Sequence, residues 1–164
     1  MQTQQVTDKQ SAEAGQFLTF YLGSEAFGVD ILRVQEIRGW ETVRPLPESP
    51  EYIKGVLDLR GTIVPIVDLR MRFGDPEPVY ESTTVVIIVS VEMPGGGRQL
   101  IGMVVDGVSD VLDTAQVEIK PPPASFAGIS KRYLIGMVSL ERDMVVLVNV
   151  DGILNEEELA GVAA

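Results

Sequence analysis

Residues 55–70 read GVLDLRGTIVPIVDLR, two strongly apolar runs that meet at Gly61 and carry Asp58, Arg60 and a mid-run Pro65. An ordinary core hairpin needs none of these three. Leu57, Leu59, Ile63, Ile66 and Val67 supply core packing, and Gly61 lets the turn adopt a positive φ. Pro65 cannot donate to a strand ladder, so it marks an edge or a bulge. Arg60 then projects from a tight turn. The hairpin reads as half scaffold and half docking surface.

The same pattern returns downstream. Tyr52-Ile-Lys-Gly-Val-Leu-Asp-Leu-Arg-Gly-Thr-Ile-Val-Pro-Ile-Val67 lies above Tyr133-Leu-Ile-Gly-Met-Val-Ser-Leu-Glu-Arg-Asp-Met-Val-Val-Leu-Val148 at an offset of 81. Phe27-Gly-Val-Asp-Ile-Leu-Arg-Val-Gln-Glu-Ile37 lies above Ile101-Gly-Met-Val-Val-Asp-Gly-Val-Ser-Asp-Val111 at an offset of 74. Two matches in the same order imply a duplicated unit of roughly 70 residues, the change of spacing being absorbed by a loop.

Short runs rich in β-branched residues, bounded by Gly, Pro, Asp or Ser, predict strands at 17–22, 26–31, 56–59, 62–67, 84–91, 100–105, 136–140 and 144–150. Each unit is expected to run strand, strand, short helical turn, strand and closing hairpin. Five short antiparallel strands close into a small barrel. The fold class is therefore all-β: two five-stranded barrels related by internal duplication, residues 15–78 and 79–164, preceded by a disordered tail over 1–14. A unit of about 70 residues buries too little surface to stand alone, so the barrels should share an apolar interface with a groove at its rim. The helical turns are placed where Ile31, Val34 and Ile37, and Val105, Val108 and Val111, recur at i, i+3. Asp151-Gly-Ile-Leu-Asn-Glu-Glu-Glu-Leu-Ala reads as a short acidic C-terminal helix capped by Asn155.

Composition narrows the function. The chain of 164 residues has neither cysteine nor histidine, which removes disulfides, thiolate and imidazole catalysis and the usual metal ligands. No run has the length of a membrane-spanning helix, and the start lacks the features of a signal peptide; a cytoplasmic protein is expected. The net charge of −11 disfavours nucleic acid and anionic membrane. That charge is uneven, −2 over residues 1–72 and −9 over 73–164. Asp106, Asp110 and Asp113 do not match a calcium loop and read as a polar face. Gly95-Gly-Gly97 precedes a strand rather than a helix and reads as a hairpin loop, not a phosphate cradle. Pro121-Pro-Pro123 occupies the place of Pro45, Pro47 and Pro50 in the first unit, as a rigid spacer.

The blocks FGVDILRVQEIRG (27–39), GVLDLRGTIVPIVDLR (55–70) and IGMVVDGVSDVL (101–112) resemble the CheW family of bacterial chemotaxis coupling proteins, from about Gln16 to Leu159. The family commonly carries Asn where this chain has Asp58. The resemblance implies two SH3-like barrels, no catalysis, and no cofactor or metal. It implies a non-catalytic adaptor that couples chemoreceptor signalling tips to a CheA-type histidine kinase, cytoplasmic but recruited to membrane receptor arrays. The receptor tip is a helical hairpin, suited to a helix-in-groove contact. The kinase's regulatory domain is itself CheW-like, and pseudo-symmetric faces allow weak self-association in rings.

Carried over residue by residue, the resemblance assigns the receptor groove to Val34, Glu36, Arg60, Val85, Val108, Val111 and Gly136, and the kinase surface to Ile31, Gly55 and Leu57. Arg60 is expected to reach Glu36 or a receptor carboxylate; the plainer reading is a solvated arginine. For the valines the plainer reading is core, and for Gly55 and Gly136 it is close strand packing. Three readings compete. One is the coupling protein of a non-flagellar pathway or of CheV type, the latter weakened because no receiver domain follows Ala164. Another is a small-ligand or catalytic barrel built on Asp58, Asp68 and Glu36. The third is a purely self-assembling protein.

Overall fold

The computed structural model describes residues 15–126, 128–155 and 157–158. The first repeat forms β1 (Gln16–Leu22), β2 (Glu25–Asp30), β3 (Val34–Gly39), β4 (Ile53–Leu59) and β5 (Thr62–Asp68), followed by a short helix α1 (Leu69–Arg72). The second forms β6 (Val85–Glu92), β7 (Arg98–Val105), β8 (Gly107–Asp113), the short β9 (Ile119–Lys120), β10 (Ser125–Phe126) and β11 (Ile129–Ser130), and then β12 (Leu134–Ser139) and β13 (Met144–Val148). All eight strand runs read from the sequence are strands, with boundaries shifted by up to three residues.

The helical turns differ from expectation. Of the residues placed on helical turns, Ile31 alone lies in one, the 3₁₀ turn Ile31–Arg33, with Asp30 accepting from Leu32 N; two further 3₁₀ turns, Lys131–Tyr133 and Val150–Gly152, lie where none was expected. Val34, Glu36 and Ile37 lie on β3, and Val105, Val108 and Val111 lie on β7 and β8. The i, i+3 spacing was shared by chance with a strand broken by a bulge, between Val34 and Glu36 in one repeat and opposite Val108 and Val111 in the other. Of the expected C-terminal helix, Glu157 and Glu158 are described and helical. Asn155 caps it reciprocally, Glu158 N donating to Asn155 Oδ1 at 2.8 Å and Asn155 N donating to Glu158 Oε1 at 2.9 Å. The rest of that helix, and the tail over 1–14, lie outside the described residues.

One sheet has the order β3-β6-β7-β5-β4 and the other β8-β1-β2-β13-β12-β9. Under the repeat, β1, β2, β3, β4 and β5 correspond to β6, β7, β8, β12 and β13. Each sheet thus takes the first two strands of one repeat and the last three of the other, with the short β9 added at the edge of the second sheet. Neither sheet follows the linear division at 78/79. The joints are the two parallel pairings, β5 with β7 and β13 with β2. Two repeats that exchange strands in this way form two SH3-like units that are inseparable along the chain.

Strand alternation explains the nearly continuous apolar runs. On β5, Val64 and Ile66 face the interior of the first barrel, with Val86, Ile88 and Val104, while Val67 faces a core shared between the barrels. On β13, Val145 and Leu147 face the second barrel's interior while Val146 and Val148 face the shared core. That shared core holds twenty buried apolar residues against six and four inside the barrels. At about 1.5–3 kcal/mol for each large side chain removed from water, the inter-barrel interface dominates the burial energy. Pro65 is buried one residue before the parallel pairing of β5 with β7 begins at Ile66, in the part of the strand flanked by β4 alone. Its missing donor therefore costs no ladder bond to β7.

A buried polar hub fastens the crossover between repeats. Arg70 binds Asp68 through Nε and Nη2 at 2.9 and 2.8 Å, and through Nη1 it binds Asp106 and the Val79 carbonyl, both at 2.7 Å. Tyr80 donates its hydroxyl to Asp68. Asp106 in turn accepts from Gly23 N at 2.6 Å in the β1–β2 turn. Burial works against the Arg70 charge, but the bonds to Asp68 and Asp106 outweigh it and raise its pKa.

Candidate docking surfaces

The first surface is built on the β4–β5 turn. Arg60 and Gly61 have φ of 51° and 90°, the pattern of a type I′ turn, which matches the twist of the flanking strands. Gly61 supplies one left-handed residue without steric cost. Asp58 Oδ1 accepts from Gly61 N at 2.8 Å, so the carboxylate fixes the turn just as an Asn amide oxygen would. Arg60 projects with 74% of its side chain exposed and donates to Glu36 Oε1 at 2.9 Å. The expected contact is present. It also has a structural meaning: Glu36 lies on β3 and Arg60 beside β4, the opposite ends of the five-strand order, so the pair spans the seam of the curled sheet.

Glu36 holds a second guanidinium, Arg38, at 3.1 Å. The hydrogen bond from Arg60 draws its carboxyl below the usual range, against a smaller opposing effect of burial. Ile37 and Ile63 are exposed on the strands that carry Glu36 and follow Arg60. Glu36 and Arg38 alternate with Ile37 along β3, so paired charges and exposed apolar side chains lie on neighbouring positions of the same strands, the composition of a docking surface rather than of a catalytic cleft.

The remaining nominated residues are divided. Val34, Val85 and Val108 are half-buried and pack on the shared core, with Ile31 beside them. Val34 pairs with Val89 and Val85 with Gly39, at opposite ends of the β3–β6 ladder. Val111 is exposed on the second barrel. Leu57 packs at the first barrel's interior cluster. Gly55 and Gly136 are buried where a side chain does not fit: a Cβ would lie 2.0 Å from the Arg44 carbonyl oxygen at Gly55, which has φ of 148°, and 2.8 Å from Ile119 Cγ2 at Gly136. Close strand packing accounts for both.

Asp58, Asp68 and Glu36 do not form a shared acid site. They are committed respectively to Gly61 N, to Arg70 and Tyr80, and to Arg60 and Arg38. No cluster of His, Cys, Asp or Glu among the described residues is placed to hold a metal. No helix among them is long and apolar enough to cross a membrane.

Sequence reasoning placed Ile63 in the core and Ile37 on a helical turn, whereas both are exposed on strands, Ile63 because it alternates with the inward Val64; it missed Arg38 beside the pair, Tyr21 on β1 and Leu140 in the β12–β13 turn. A second surface lies there, a groove of ≈ 510 Å³ between β8 and the β12–β13 turn.

Comparison with known proteins bears on these surfaces. Residues 16–158 match the family model of the CheW-like domain. The chain is 43% identical over 145 residues to the chemotaxis protein CheW of Klebsiella aerogenes, covering 88% of this chain and 84% of that protein. It is 31% identical over 155 residues to the chemotaxis protein CheW of Treponema pallidum, covering 92% and 88%. The crystal structure of the scaffolding protein TtCheW from Thermoanaerobacter tengcongensis matches with a TM-score of 0.77 at 30% identity, over 89% of this chain and 97% of that one.

Proposed function

The chain belongs to the CheW-like family, and from that premise we propose that it is a non-catalytic chemotaxis adaptor that couples receptor signalling tips to a CheA-type histidine kinase. The observation that carries the reading is the Arg60–Glu36 pair, with Arg60 projecting into solvent and Ile37 and Ile63 exposed on the strands that carry Glu36 and follow Arg60. An amphipathic helical hairpin can lay apolar side chains on the isoleucines and polar ones against the two charges. Val34, Val85, Val108, Val111 and Gly136 complete the proposed receptor groove, Val34, Val85 and Val108 along its floor. Ile31, Gly55 and Leu57 mark the proposed kinase face; Gly55 and Leu57 set its shape from beneath.

The protein acts in the cytoplasm and is recruited to arrays by its partners. Each contact is small and of micromolar strength, and the array holds through many of them. The duplicated faces also support weak self-association in rings.

Calorimetry with a receptor signalling-tip fragment tests the reading. The wild-type protein binds, and Arg60→Glu, folded by its circular dichroism, binds at least about tenfold more weakly because both carboxylates then repel the fragment's acids and each other. Equal affinity for a folded Arg60→Glu protein would remove Arg60 from the receptor site.

A further inference from the structure

Where the β1–β2 turn meets α1, a pocket of ≈ 220 Å³ opens that shares no residue with the proposed receptor and kinase surfaces. Leu22, Phe27 and Phe73 form its apolar walls, Arg70 lies at its side, and the exposed Glu25 and Asp75 stand at its mouth. The second repeat closes the equivalent place. Leu22 pairs with Glu25 across β1–β2 just as Val91 pairs with Gln99 across β6–β7, and the offset of 81 sets Phe73 against Leu154. Val91, Ile101 and Leu154 are 2%, 0% and 4% exposed, all within the shared core. In the first repeat Phe27 is as deeply buried as Ile101, but Leu22 and Phe73 are only half-buried and leave space between them. The duplicated fold does not impose the opening; these side chains do.

Size and charge together select a guest. An apolar protein cavity of ~150 Å³ admits benzene, so this pocket takes one aromatic ring with a short arm. The rings of Phe27 and Phe73 lie with centroids 6.0 Å apart and planes tilted by 44°. A guest ring finds there the offset and edge contacts that aromatic groups prefer. The Arg70 guanidinium is already held by Asp68 and Asp106, which leaves the charges of Glu25 and Asp75 in excess. Neither is in an ion pair among the described residues. Asp75 Oδ1 accepts from Glu77 N at 3.0 Å, a bond that does not balance its charge. Glu25 stands where the second repeat has the neutral Gln99. The arm that fits this mouth is a cation.

We propose that the pocket binds a small arylalkylammonium, its ring between Leu22, Phe27 and Phe73 and its ammonium against Glu25 and Asp75. The guest bridges the β1–β2 turn and α1, which Asp106 already joins by accepting from Gly23 N and from Arg70 Nη1. It therefore tightens the joint at which the first repeat crosses to the second, and it stabilises the folded chain by mass action.

An NMR titration of the full-length protein with phenethylammonium chloride, up to roughly 10 mM at low salt, tests the site. Saturable shifts are expected at the amides of Gly23, Glu25, Phe73 and Asp75, with a dissociation constant on the order of 1 mM, the scale for so small a ligand. Hydrocinnamate, of similar shape and opposite charge, binds at least about tenfold more weakly. Glu25→Gln combined with Asp75→Asn, both at exposed positions, removes that preference. Leu22→Trp fills the pocket and abolishes binding; should it melt early, the exposed charge variant decides alone. Absence of saturable shifts at these amides, equal affinity for the anion, or a charge variant that still prefers the cation would overturn the proposal. No receptor or kinase is present, so such a failure leaves the coupling reading untouched, and a failure to bind receptor leaves this one untouched.

Discussion

Ile66 stands directly opposite Gly102 in the parallel pairing of β5 with β7, its Cδ1 2.6 Å from where a Cβ on that glycine would lie. The repeat copies the arrangement at Leu147 and Gly28, where the Cβ would lie 3.0 Å from Leu147 Cδ2. Each exchanged strand is thus keyed into its foreign sheet by a large aliphatic side chain lying over a glycine. Gly102→Ala forces Ile66, Val86 and Ile88 to move, and is expected to cost about 1–3 kcal/mol, the usual range for overpacking. Gly55→Ala meets a backbone carbonyl instead of side-chain tips, at a left-handed φ, and should cost more. Urea denaturation of the two variants checks the order.

Strand exchange predicts how the chain behaves when cut. Fragments ending and starting at the 78/79 junction each lack strands that the other supplies to both sheets. Separately they should show no dispersed amide spectrum; mixed, they should reconstitute the native one. Two independently folded halves would contradict the exchange.

Arg70 is 3% and Asp68 0% exposed, and a lone charge in that setting has no water to turn to. Arg70→Met should destabilise by about 3–5 kcal/mol, leaving Asp68 uncompensated. Adding Asp68→Leu to that variant removes the orphan and should restore part of the loss. Thermal melts of the single and double variants decide it.

At the acid end, Glu36 has a lowered pKa in the folded state, so its stabilising contribution is full above its ordinary value of 4.5 and is lost as pH falls through the depressed one. An NMR titration of its carboxyl should move up towards 4.5 in Arg60→Ala, since the Arg60 hydrogen bond is the largest cause.

At the alkaline end the sign reverses. Burial, together with the bond to Glu158, pushes Tyr52 up to about 12 from 10.0, so its contribution is full below pH 10 and is lost as pH rises through about 12. Tyr52→Phe should flatten the fall in stability across that interval, measured by denaturant midpoints.

Much of this was legible in the sequence because the repeat is written in residues with fixed jobs. Gly28 and Gly102 key the exchanged strands, and Tyr52 and Tyr133 pass their carbonyls to the equivalent Asp68 and Asn149 backbone amides at 2.7 and 2.8 Å. The Arg60–Glu36 contact followed from the turn chemistry and the family pattern. Which repeat each strand joins was not legible: a strand apolar on both faces, such as β5, fits either sheet, and the pairing is decided by contacts distant in sequence. The bulges hid the rest. One extra residue at Val34–Glu36 turned a strand into an apparent helical spacing and concealed that Ile37 points outward. The groove on the second barrel was equally hidden, since its walls come from β1, β2, β8 and the β12–β13 turn, which lie far apart in the sequence.

The central claim is that one small protein holds a receptor and a kinase at once. Analytical ultracentrifugation of the purified protein with a receptor signalling-tip fragment and the regulatory domain of a CheA-type kinase tests it most directly. The account predicts a ternary complex in which Arg60→Glu releases the receptor fragment and keeps the kinase domain. Mutually exclusive binding, or binding of neither partner, would contradict it.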